Sequence, residues 1–134
     1  MTADQMVGYT LRQTTAVTAI TSTRVYHGMR PEGTDVPCIN FFRMPGGDRK
    51  NGMDQQYYSI NCRAVTSTTA RNLANIVIDA FHGPDGRGMK GDVSGFSIIS
   101  SSLQIGGGLI FEPDGETYNS PVDIKVIYPT STVT

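Results

Sequence analysis

Apolar and polar positions change their spacing several times along the chain, and each change marks an element. Over residues 3–20, Val7, Leu11 and Val17, with Met6 and Ile20 nearby, form an irregular apolar stripe of helical spacing. Thr2 lies three residues ahead of Gln5, the form of a capping box at a helix start. Gly8 and the pair Thr14–Thr15 weaken this helix. Residues 24–29 then read as a short extended segment, and Pro31, Glu32, Gly33 and Pro37 as a loop. Residues 37–43 read as a strand with proline first, where a missing N–H is tolerated. Residues 45–52, PGGDRKNG, read as a flexible loop. The clearest strand covers residues 55–65. Tyr58, Ile60, Cys62 and Ala64 share one face, and Tyr57, Ser59, Asn61 and Arg63 the other. The two strands and their loop make an extended hairpin. With Cys38 opposite Cys62, Asn40 faces Ile60 and Phe42 faces Tyr58; a one-residue slip is equally allowed.

The second half is plainer. Thr66–Ser67 caps a helix in which Ala70, Leu73, Ala74, Val77 and Phe81 follow the i, i+3, i+4, i+7 pattern. Gly83 stops it and Pro84 prevents its continuation. Residues 83–92, GPDGRGMKGD after the helix, form a second glycine-rich loop. A long Ser-rich strand is expected over residues 93–104, with Phe96, Ile98, Ile99 and Leu103, and a short one over 109–112. Residues 113–116 are a turn. Residues 122–128 alternate, with Val122, Ile124, Val126 and Tyr128 on one face. The order is helix, two strands, helix, then two or three strands, without βαβ alternation. The expectation is an α+β fold: a single, mostly antiparallel sheet of four to five strands with two helices packed on one face. It spans residues 1–134 as one domain, with 129–134 as a flexible tail.

Composition adds a constraint on the surface. The chain has 134 residues, 11 Lys+Arg against 12 Asp+Glu, a net charge of -1 and no Trp. Charged residues make up 17% of it, against roughly 25% in an average soluble domain. Thr, Ser and Gly take their place, so the surface is polar but poor in charge, which suits coverage by partner subunits. No basic excess exists of the kind that phosphate-neutralising nucleic-acid binders carry. No apolar run is long enough to span a membrane. The first ten residues lack the basic and apolar regions of a signal peptide. Cys38 and Cys62 do not have zinc spacing, and the default is reduced thiols in an intracellular protein. Facing each other across a strand pair, they would bridge under oxidation.

Candidate chemistry is sparse. His27 and His82 have no acidic or nucleophilic partner spaced near them. Gly106–Gly107–Gly108 and the run around Gly86–Arg87–Gly88 precede strand patterns, not the helix a phosphate loop needs, and read as a turn or bulge and a loop. Asp114 and Glu116 fall in a turn, and Asp48 and Asp54 in a loop. Cys38 and Cys62 read as small buried hydrophobes. No catalytic residue, metal ligand or cofactor site is expected. The basic residues Arg43, Arg49, Lys50, Arg87 and Lys90 sit on or beside the two loops. They either reach toward a partner or a DNA-filled pore, or are solvated loop charges, and Asp48 and Asp54 dilute the first group.

Residues 11–42, LRQTTAVTAITSTRVYHGMRPEGTDVPCINFF, resemble the N-terminal half of the tail terminator, or tail completion, proteins of long-tailed bacteriophages. There a helix leads into a short Arg-Val-Tyr-like strand, then a Pro-containing loop and a Pro-initiated hydrophobic strand. Here those are Arg24–Val25–Tyr26, Pro31 and Pro37–Cys38–Ile39. Tyr58–Ser59–Ile60–Asn61–Cys62–Arg63–Ala64 looks like the family's central strand, and the run from Ser67 to Ala74 like the start of its second helix. The resemblance covers residues 5–82; the last third fits by layout alone, and its Ser-rich strand and triple glycine depart from the pattern. It implies a non-enzymatic virion protein at the neck of the tail, assembled in the host cytoplasm. Such a protein forms a homo-hexameric ring on the tail tube, stops polymerisation and offers the head-attachment surface. The implied partners are further copies of itself, the tail-tube protein and a head-completion or connector protein. DNA passes through the lumen without specific binding, and no membrane is involved. Arg43, Asp48, Arg49, Lys50, Arg87 and Lys90 become the expected inter-subunit, tube or lumen contacts. The alternatives are a neck or head-closure connector, a tail-tube subunit, or a small ligand-binding module.

Overall fold

The computed structural model describes residues 2–29, 35–83, 88–112 and 116–130. The capping box at its start forms as expected. Thr2 Oγ1 accepts from the Gln5 N–H at 3.2 Å, and Gln5 Oε1 accepts from the Thr2 N–H at 2.9 Å. The helix it opens, α1 (Ala3–Gln13), does not reach residue 20. Thr14 leaves helical geometry (φ -79°, ψ 105°), and its hydroxyl donates to the Thr10 carbonyl at 2.7 Å. A β-branched residue bonding back to the preceding turn competes with the helix, and a second helix, α2 (Thr15–Thr21), starts there.

A short strand, β1 (Val25–His27), pairs in parallel with β2 (Cys38–Lys50), setting Val25 against Ile39 and His27 against Phe41. The antiparallel partner of β2 is β3 (Met53–Ala64), and the register between them is the slipped one: Ile39 lies opposite Cys62 and Cys38 opposite Arg63. The slip puts Ile39 and Phe41 on the helix-covered face with Ile60 and Cys62. The two cysteines therefore point to opposite faces; both are buried and free. A second correction concerns residues 45–52. The strand runs through them to Lys50, across a bulge between Met44 and Asp48, and only Asn51 and Gly52 form the turn. Both have positive φ, 55° and 74°. That is the turn whose twist matches a hairpin, and Asn-Gly is its preferred sequence.

After it comes α3 (Ser67–Phe81), capped by Thr66 Oγ1, which accepts from the Thr69 N–H at 3.2 Å. Its buried residues are the five expected: Ala70, Leu73, Ala74, Val77 and Phe81. The single strand expected over residues 93–104 is instead three. β4 (Gly91–Val93) and β5 (Phe96–Ile98) form a hairpin turned at Ser94–Gly95, and β6 (Ser100–Ile105) joins the main sheet. The turn is fastened by Asp92 Oδ1, which accepts from the Gly95 N–H at 2.7 Å. β7 (Ile110–Phe111) and β8 (Tyr118–Pro129) complete the set. Of the residues expected as a flexible tail, Pro129 belongs to β8, and Thr130 donates to the Gly52 carbonyl and to Asp54. Residues 131–134 lie outside the described residues, as does most of the turn at 113–116.

The main sheet has six strands in the order β1-β2-β3-β8-β6, with β7 also on β8. All its pairs are antiparallel except β1 with β2, so the α+β expectation holds with one parallel pair added. β6 and β7 follow one another along the same edge of β8 as one strand interrupted by Gly106–Gly107–Gly108. Gly107 has φ 81°, and a Cβ on Gly106 would lie 3.1 Å from both Ile78 and Leu103. A side chain there would press on the tips of Ile78 of α3 and Leu103, which would have to give by a few tenths of an ångström. Apolar residues of all three helices and of one sheet face form a single core, with Met6, Leu11, Leu73 and Phe81 above Phe41, Tyr58, Ile60, Ile124 and Val126. The other sheet face is left without helices.

Candidate functional site

The expected contact residues do not fall in one place. Arg43 is in β2 opposite Tyr58, on the helix-covered side of the sheet. Its guanidinium reaches the Asp4 carboxylate at 2.9 Å and lies 6.0 Å from the Tyr58 ring centre. The buried Tyr58 hydroxyl donates to the same Asp4 oxygen at 2.5 Å, and His27 Nε2 is 3.3 Å from the other. His27 also stacks on Phe41, with ring centres 5.0 Å apart. So His27 does have an acidic partner, brought from far along the chain by the packing of α1 on β1 and β2. Two donors, Arg43 and Tyr58, with His27 beside them, pin the start of α1 to the sheet through one carboxylate. Burial first, and then the bond to Asp4, pushes the Tyr58 phenol well above its ordinary range.

Asp48, Arg49 and Lys50 lie together at the end of the β2–β3 hairpin. Arg49 is directly opposite Asp54, and its Nε and Nη2 hold the two carboxylate oxygens at 2.6 and 2.9 Å. The Asp54 side chain is only 3% exposed. Arg49 holds its carboxyl below the usual range, against its burial, with help from Thr130. Asp48 accepts from the Arg49 N–H at 2.8 Å. Lys50 is exposed, its ammonium makes no ion pair among the described residues, and its cross-strand neighbour Met53 is exposed too.

The helix-free face of the sheet has two parts. Toward β7 it holds a buried polar network. Asn40 donates to the Gly28 carbonyl at 3.0 Å, Arg63 donates to Asn40 Oδ1 at 3.1 Å, and Asn119 donates to Asn61 Oδ1 at 3.0 Å. Arg63 also pairs with Glu112, which ties the strand after the triple glycine to β3. Toward the hairpin end lies an apolar groove lined by Met44, Pro45, Tyr57, Gln104, Ile105 and Asp123. Ile105, Ile110 and Phe111, on the outer strand, are 68%, 51% and 55% exposed. No charged residue occurs between Asp92 and Glu112, so this edge lacks the charges that usually discourage strand pairing. Part of it is covered from within: His82 Nδ1 accepts from the Leu103 N–H at 3.0 Å, and the Ser101 hydroxyl donates to the Phe81 carbonyl.

Lys90 is exposed just before β4, and Arg87 lies outside the described residues. Among the described residues no three His, Cys, Asp or Glu side chains gather as a metal site would require, and no helix is long and apolar enough to cross a membrane. The groove and the polar network had no sequence signal, because each joins side chains from three or more strands. The Arg49–Asp54 pair had one: the Asn-Gly turn, read as a hairpin tip, sets those residues opposite each other.

No protein-family model matches the chain, and no curated protein matches it. A solved structure does. One chain from the virion of a native gene transfer agent (GTA) particle superposes with a TM-score of 0.66 at 16% sequence identity, covering 96% of this chain and 95% of that one. The two share a fold across almost their entire lengths.

Proposed function

We propose that the chain is a non-enzymatic structural protein of a phage-like virion. It caps the tail tube as a homo-hexameric ring, ends tube polymerisation and provides the surface to which the head attaches. The observation that carries this reading is the near end-to-end fold match to a chain of a GTA virion. The tail-terminator resemblance of Arg24–Val25–Tyr26, Pro37–Cys38–Ile39 and the strand from Tyr58 to Ala64 supports the finer assignment. The mechanism is interface complementarity. Asp48, Arg49 and Lys50 on the hairpin, Lys90 just before β4 and, from the sequence, Arg87 meet neighbouring subunits, the tube or the lumen. Arg43 serves by holding α1 in place. A net charge of -1 suits a conduit through which DNA moves without being gripped. The particle position is the neck, reached after assembly in the host cytoplasm, and the partners are the tube protein and a head-completion protein.

Light scattering with tube co-sedimentation tests this. The proposal expects a species of about six chain masses, alone or once tail tubes are added, as a closed head-to-tail ring requires. A protein that stays monomeric and never sediments with tubes would overturn it. Sedimentation with heads and not with tubes would overturn the tube cap in favour of a neck connector.

A further inference from the structure

The helix-free sheet face carries charges of both signs that make no ion pair among the described residues, Lys50 and Lys125 against Asp123, and their placement is self-complementary. Residues directly opposite each other in neighbouring strands share a face. The register therefore lays the hairpin half of this face out in four rows: Phe42, Ser59 and Asp123; Met44, Tyr57 and Lys125; Asp48, Gln55 and Ile127; Lys50, Met53 and Pro129. Asp123 sits at one end, on the wall of the apolar groove with Met44, Tyr57 and Ile105. Its carboxylate makes no ion pair among the described residues, not even with Lys125 two positions along. Lys50 sits at the far corner beside exposed Met53. The neighbouring charges on the hairpin are already engaged, Arg49 by Asp54 and Asp48 by a backbone N–H.

We propose that this face docks on the same face of a second copy, with Lys50 of each copy on Asp123 of the other. Lys50 and Asp123 are two strand spacings and six residues apart, about 22 Å in the plane of the sheet. A two-fold axis lying between two stacked sheets, crossing the strands obliquely from Met44 to Ile127, exchanges those two corners. It sets Met44 against Met44 and Ile127 against Ile127 of the partner, and brings Lys125 near the partner's Asp48. Apolar side chains then lie along the axis, with opposite charges on both flanks. The occupant is a second copy because the surface supplies both halves of its own charge pattern. The matched patch is roughly 14 by 20 Å, well below the roughly 800 Å² per partner of a standard interface. The dimer is accordingly weak and concentration-dependent. A two-fold contact closes at two copies, so it is separate from the proposed ring, and its test does not involve tails.

Sedimentation velocity over about 1 µM to 1 mM should show the assembling unit, single chain or closed ring, passing to twice its mass. Lys50→Glu and Asp123→Lys should each raise the dissociation constant at least about tenfold, about 1.4 kcal/mol in all over the two symmetry-related contacts that each change breaks. The double charge reversal should restore it to near the original value, and Arg71→Glu, exposed on α3 at the opposite side of the sheet, should change nothing. A unit whose mass never doubles, or single reversals without effect, or a double reversal that fails to restore, overturns the proposal. Trapping supplies a readout that survives any change in stability. Mixed Lys50→Cys and Asp123→Cys proteins should form the mixed disulfide in preference to either like pair, with buried Cys38 and Cys62 out of reach. Random pairing overturns the contact.

Discussion

Tyr58→Phe removes one hydroxyl and nothing else from the centre of the β3 strand. The ring stays, so no cavity opens, and what is lost is the bond to Asp4 at 2.5 Å and the longer one that the hydroxyl accepts from Arg43 at 3.4 Å. A hydrogen bond to a charged group contributes about 1.5–3 kcal/mol. Asp4 is about a quarter exposed and keeps Arg43, so water replaces part of the loss and the lower end applies, about 1–2 kcal/mol. Unfolding entropy of about 2.1 cal/mol/K per residue gives a chain of this length a slope near 0.28 kcal/mol per degree. The expected fall in Tm is therefore about 4–7 °C by circular dichroism. Asp4→Asn should cost more by itself, since it also weakens the Arg43 and His27 contacts. Made in the Tyr58→Phe background, its cost should shrink by most of the Tyr58 effect, because both changes break one bond. A Tm within about 1 °C of the parent for Tyr58→Phe, or strictly additive effects, would refute the view that this cluster pins α1 to the sheet.

Two further outcomes follow from the same reasoning. Arg49→Ser should lower Tm, because it leaves the nearly buried Asp54 carboxylate without its bidentate partner, whereas Lys50→Ser should leave Tm unchanged. Equal effects in thermal melts would contradict the division between a hairpin-bracing and a free charge. Stability should also fall as pH rises above about 9 and then more steeply above about 10. Burial, with Cys38 adding to it for Cys62 and Asp4 bonding for Tyr58, raises the folded values of Cys62, Tyr58 and Tyr128. The unfolded chain then releases protons that the folded chain still holds, which favours unfolding. Urea titrations at stepped pH should show this loss, and a flat profile to pH 11 would count against those burials.

How far the fold was legible depended on how each element buries itself. Helix α3 repeats apolar residues at one helical period between Thr66 and Gly83, and the whole element is visible in the chain. Strand β8 alternates cleanly because one of its faces is core. The outer half of β2 has neither signal. Pro45 to Lys50 is exposed on both faces, so no apolar period marks it as a strand, and only Asn51–Gly52 reveals the hairpin. The Ser-rich stretch hid its breaks because serine suits turns and strands alike, and Ser94–Gly95 looks no different from its surroundings. The β2–β3 register was open because Asn40 and Asn61 are nearly buried polar residues, held by bonds to Gly28, Arg63 and Asn119. Nothing local announces such bonds. Of the candidate site, Asp48, Arg49 and Lys50 were found as charges, but the bracing role of Arg49 and the inward reach of Arg43 needed the tertiary fold.

The central claim is that the chain ends tail-tube growth. The most direct measurement is the tail-length distribution, by electron microscopy, of particles assembled with and without it. The account predicts tubes of one length with the protein, and tubes extended well past that length, without heads, in its absence. Tails of normal length that merely fail to join heads would contradict termination.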